Sequence, residues 1–92
     1  MTLHRGDATE AEIRLWCCQY LAPVVKRPAE RIDQDADFTA LGVDSAEMLF
    51  MVSALESQFG LELASDTTLK HPSVGALARF VSGLLETKRR RA

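Results

Sequence analysis

Ninety-two residues, 47% of them apolar, suffice for one small domain with a packed core, and no run approaches the roughly 18 apolar residues of a membrane span. The formal net charge of -2 hides a segregation: from Glu30 to Asp66 nine acids stand against Arg31 alone, a local charge of -8, whereas Lys88-Arg89-Arg90-Arg91 contributes +4. An acidic centre favours partners with basic surfaces and disfavours nucleic acid, and the start Met1-Thr2-Leu3-His4 lacks the apolar segment of a secretory signal, so a cytoplasmic protein is expected.

The first helical pattern runs from about Thr9 to Leu21. Thr9 with Glu12 makes a capping box, and Ile13, Trp16, Cys17, Tyr20 and Leu21 recur at helical spacing. Pro23 and Pro28 place its end in or just after that neighbourhood. A connection of roughly twenty residues follows, from Arg27 to Asp44, long enough to imply function or anchoring. Ile32, Phe38 and Leu41 are its expected anchors to the core. The second helix spans Ser45 to about Phe59, with Gly60 ending it. At about 100° per residue, Met48, Val52, Leu55 and Phe59 share one apolar arc with Leu49 and Met51 on its flanks; Ala46, Phe50, Ser53 and Ser57 lie opposite. A short third helix is expected around Asp66 to Lys70. Ser73, after Pro72, caps a last helix to about Glu86, with Val74, Leu77, Ala78, Val81, Leu84 and Leu85 available to the core. No run alternates as a strand would. The domain is therefore all-α, residues 1–92, with its core over about 9–86 and a frayed basic tail over 87–92.

The most informative segment is Phe38-Thr39-Ala40-Leu41-Gly42-Val43-Asp44-Ser45, which leads directly into the second helix. Gly42 allows a tight turn, Asp44 is a good N-cap, and Glu47 three residues later completes a second capping box. Ser45 falls on the first helical turn, beside water.

On these residues the chain resembles the acyl carrier and peptidyl carrier protein family. The similarity rests on Phe38, on Leu41-Gly42-Val43-Asp44-Ser45, on Leu55-Glu56-Ser57-Gln58-Phe59-Gly60 and on His71-Pro72-Ser73-Val74, in order over about residues 10–86. It implies a four-helix bundle of the acyl-carrier type, with a long loop between helices 1 and 2 and a short third helix. It also implies a 4'-phosphopantetheine arm, derived from coenzyme A, on Ser45, holding acyl, polyketide or aminoacyl cargo as thioesters. The implied partners are a phosphopantetheinyl transferase, a loading enzyme and synthase or condensing enzymes, meeting the protein as a monomer over a surface of Asp44, Ala46, Glu47, Leu49 and Phe50. Many carriers have leucine directly after the modified serine and glutamate five residues after it. Here Ala46 and Phe50 occupy those places, which points away from housekeeping fatty-acid synthesis and towards a specialised pathway. Phe50 is either a partner contact or folded back under the long loop.

No catalytic set accompanies Ser45. His4 and His71 are isolated, adjacent Cys17 and Cys18 lack metal-ligand spacing and read as buried reduced thiols, and Trp16 reads as core. The chain is thus expected to be a non-catalytic carrier without metal. The competing class is a helical interaction domain with the same fold and no arm.

Overall fold

The structure, a computed structural model, describes residues 8–91. Four helices follow in order: α1, Glu10–Val25; α2, Ser45–Phe59; α3, Thr67–Lys70; and α4, Val74–Arg91; a single 3-10 turn, Ala29–Arg31, lies between α1 and α2. Among the described residues there is no strand, only an isolated antiparallel bridge between Asp37 and Ser73. His4 lies outside the described residues.

α1 starts where its capping box requires. The Thr9 hydroxyl accepts the Glu12 N–H at 3.1 Å and the Glu12 carboxylate accepts the Thr9 N–H at 3.0 Å, so two otherwise orphaned donors are satisfied. It ends later than expected, running through Pro23 to Val25 and stopping at Lys26 in the left-handed conformation (φ 58°). Proline deprives the Gln19 carbonyl of its helical partner, but Gln19 and Pro23 are both exposed, where water can serve that carbonyl.

α1 packs chiefly on α4. Ile13, Cys17 and Leu21 from α1, Met51, Leu55 and Phe59 from α2, and Val74, Leu77 and Val81 from α4 form one cluster at or near zero exposure. Trp16 stacks on Tyr20 with ring centroids 5.3 Å apart and meets Phe59 edge-on at 5.9 Å, tying α1 to the end of α2. In α2 the two flanks of the expected arc prove unequal. Met51 is fully buried, whereas Leu49 is 54% exposed and Met48 only half-buried. Met48 lies in the first turn of α2, whereas Met51, a turn further on, belongs to the buried cluster.

The long connection is pinned rather than loose. Ile32, Phe38 and Val43 are buried, and Leu41, an expected anchor, is half-buried against the same cluster. The Phe38 N–H donates to the Pro72 carbonyl at 2.8 Å, and the Gly75 N–H donates to the Gln34 carbonyl at 2.8 Å. The approach is close: a Cβ at Gly75 would stand 3.3 Å from that carbonyl oxygen and 3.1 Å from the Arg14 guanidinium, so a side chain there would require these neighbours to shift by a few tenths of an ångström. Arg14 itself donates to the Gln34 side chain at 2.9 Å and pairs with Glu10 at 3.0 Å.

α3 is a single turn with Thr67 and Thr68 buried and Leu69 pointing out. The Ser73 hydroxyl accepts the Ala76 N–H at 3.1 Å, as a cap for α4 should. α4 then continues past Glu86. The basic stretch expected to be frayed is helical through Arg91, held by Lys88 Nζ donating to the Gly60 carbonyl at 2.6 Å and by an Arg90–Glu86 pair at 2.7 Å. Cations in the last turn also suit the negative end of the helix dipole.

Cys17 and Cys18 are free thiols in the core. Burial, with adjacent Cys18 adding to it, pushes the Cys17 thiol up to about 12, and burial also raises Cys18. Both thiols ionise at higher pH in the fold than in the unfolded chain, so their contribution to stability is intact below about pH 9 and declines above it. At pH 8 the Cys17 thiol is therefore held in its unreactive protonated form. Iodoacetamide at that pH should leave both thiols of the native protein unmodified, and alkylate both once urea unfolds it, as read by intact mass. Phe38→Ala should lower the unfolding free energy by about 3–5 kcal/mol in urea titrations, a large share of what a domain this size has.

Candidate functional site at the start of helix α2

The path into α2 is wound around two buried side chains. The Leu41 N–H donates to the Asp37 and Phe38 carbonyls at 3.1 Å each, Gly42 to Thr39 at 3.1 Å, and Val43 to Phe38 at 3.0 Å. Gly42 sits at φ 90°, a conformation that side-chain-bearing residues rarely adopt. With Phe38 and Val43 both in the core, the chain leaves this turn in one direction. Asp44 is extended, its Oδ1 accepts the Glu47 N–H at 2.8 Å, and Glu47 Oε1 accepts the Asp44 N–H at 3.1 Å. The second capping box read from the sequence is thus complete.

Ser45 is the first residue of α2 and exposed. Among the described residues no side chain hydrogen-bonds its hydroxyl, and no group of histidines, cysteines and carboxylates could hold a metal. His71 is stacked on Phe80 with centroids 4.1 Å apart. The site offers an accessible alcohol on a capped helix start. A phosphodiester fits there: the oxygen is open to solvent, and the first-turn N–H groups give that end of the helix a partial positive charge. The Asp44 and Glu47 carboxylates oppose a phosphate, and their bonds show them engaged in capping.

The neighbouring residues fall on two exposed faces. Leu49 lies one turn beyond Ser45 on the same side, 54% exposed, while Ala46 and Phe50 share the side turned from the core with Ser53 and Ser57. Phe50 is 67% exposed, so it does not fold under the loop. The sequence did not point to Leu69, 82% exposed on α3, which with Met48, Phe38, Thr68 and Pro72 borders a cleft of about 190 Å³ beside the first turn of α2. A four-residue helix is too short for periodicity to say which side of it faces out.

The chain matches the model of the family described as the phosphopantetheine attachment site over residues 16–81. The acyl carrier protein TtuC of Teredinibacter turnerae is 27% identical over 74 residues, covering 80% of this chain and 85% of that protein. The non-reducing polyketide synthase nscA of Aspergillus fumigatus is 28% identical over 80 residues; the chain spans only 4% of its length. Among solved structures, a free-standing peptidyl carrier protein from a secondary metabolic pathway of Acinetobacter baumannii superposes with a TM-score of 0.78 at 28% identity, covering 85% of this chain and 98% of that one. An Anabaena acyl carrier protein with a variant phosphopantetheinylation-site sequence shares the fold at a TM-score of 0.81 and 22% identity, over 92% of this chain and 94% of that one. With the helical order, the wound turn and the capped serine in place, the chain belongs to the phosphopantetheine attachment site family, whose members carry 4'-phosphopantetheine covalently, and it is a carrier protein domain.

Proposed function

We propose that Ser45 bears the arm and that residues 1–92 form a single, monomeric, non-catalytic carrier domain for acyl, polyketide or aminoacyl intermediates of a specialised cytoplasmic pathway. The observation that carries this reading is the exposed hydroxyl on a helix start fixed by Phe38, Val43 and the Asp44–Glu47 box. Attachment forms a bond from Ser45 Oγ to phosphorus of the coenzyme A pyrophosphate and breaks the bond to the departing nucleotide; the base that accepts the serine proton comes from the transferase. The arm, when bound, supplies a terminal thiol that holds cargo as a thioester. The protein's own residues orient the attachment point and raise the effective concentration of cargo at whichever enzyme docks. Two reduced thiols in the core suit a cytoplasmic setting.

Asp44, Ala46, Glu47, Leu49 and Phe50 are proposed as the recognition surface for the phosphopantetheinyl transferase, the loading enzyme and the synthase or condensing enzymes. An aromatic ring 67% exposed on a face of small residues is costly in water and productive in a partner's pocket.

Incubation with coenzyme A, magnesium and a broad-specificity phosphopantetheinyl transferase should add one arm to the intact mass, and Ser45→Ala should abolish the addition while leaving the fold unchanged by circular dichroism. No gain in mass would leave a helical interaction domain instead. Phe50→Ala and Phe50→Glu should keep the melting temperature and lower kcat/KM for priming or loading by about tenfold or more; unchanged rates would remove Phe50 from the surface.

A further inference from the structure

The far end of α2, away from Ser45, borders a cleft of its own. α2 runs from Ser45 to Phe59, about 22 Å at 1.5 Å per residue. At its far end, Lys88 of α4 binds the carbonyl of Gly60. Here Leu61 and Leu84 border a cleft of about 260 Å³ whose remaining walls are Glu62, Thr87, Lys88 and Arg91. On a helix, Leu84, Thr87, Lys88 and Arg91 fall within about 100° of one another, so the cleft has one face of α4 as a wall.

The helix dipole accounts for basic residues in a last turn, but not for this arrangement. Lys88 reaches across to α2 rather than to its own helix end, and Arg90 is taken up by Glu86. Arg91 instead lines the cleft, where the methylene stems of Lys88 and Arg91 can cover apolar surface while their charged heads stay in water. Glu62 offsets one of these two charges. The rim formed by Lys88 and Arg91 is left with a net positive charge.

We infer that the Leu61–Leu84 cleft with its Lys88 and Arg91 rim is a second docking surface, for an acidic protein segment that presents an apolar side chain between carboxylates. Charge complementarity selects the acidic partner and the cleft selects the apolar anchor. A segment seated there leaves Ser45 uncovered, so its owner stays attached while the attachment point remains free for other enzymes, which raises their effective concentration. The inference does not depend on Ser45 carrying an arm.

The test is an NMR titration of the isotope-labelled full chain with a short synthetic peptide of glutamates flanking one leucine. Expected are saturable amide shifts at Leu61, Glu62, Leu84 and Thr87 to Arg91 with none at Ser45, and affinity that falls as salt rises. Arg91→Glu, which leaves the Lys88–Gly60 bond in place, should weaken binding about tenfold with the melting temperature unchanged. Absence of saturable shifts overturns the inference. So does equal binding of an all-glutamate peptide without leucine, which would mean diffuse charge attraction and no use of the cleft. Preferential capture by phosphatidylglycerol vesicles would assign this end to a membrane surface, and concentration-dependent shifts without peptide would assign it to a second copy of the chain; either result overturns it as well.

Discussion

The site depends on the burial of Phe38. Its ring is 1% exposed, its N–H is bonded to the Pro72 carbonyl, and its own carbonyl accepts the N–H groups of Leu41 and Val43. One residue therefore joins the long connection to the start of α4, closes the turn before α2, and fixes that turn to the core. An 18-residue connection from Arg27 to Asp44 costs substantial conformational entropy to order. Burial of Ile32, Phe38 and Val43, with the Gln34–Gly75 bond, is what opposes that cost. Without such anchoring the first turn of α2 would have a cap but no fixed place relative to α3 and α4.

That anchoring lets a very exposed residue be a well-positioned one. Ser45 is exposed; its geometry is inherited from the buried residues before it and the capping box around it. The same economy explains the carboxylates. Asp44 and Glu47 satisfy two backbone N–H groups that would otherwise be orphaned, and their negative charge adds to that of the Glu30–Asp66 stretch. Away from Ser45, Lys88 fastens the end of α4 to the Gly60 carbonyl at the end of α2.

Much of this was legible from the chain alone, for reasons visible in particular residues. Thr9–Glu12 and Asp44–Glu47 identify both long N-terminal helix starts because a capping box is a local device, complete within four residues. Gly42 and Gly60 mark positive-φ positions, a local backbone demand. The end of α1 was less legible. Proline disfavours a helix interior, yet the solvent-facing position of Pro23 tolerates it, and that position depends on which side of α1 meets α4.

Local sequence thus determined the all-α class, the order of the helices, the caps and the placement of Ser45 on a first turn, because periodicity and capping act over a few residues. Tertiary structure decided the rest: that Val43 is buried and Leu41 only half so, that Met51 rather than Met48 is fully enclosed, that Leu69 and Phe50 face solvent, and that the basic stretch is helix through Arg91. Each of these depends on what lies opposite, across distances in sequence that no local pattern spans: Pro72 for Phe38, Gln34 for Gly75, and Gly60 for Lys88.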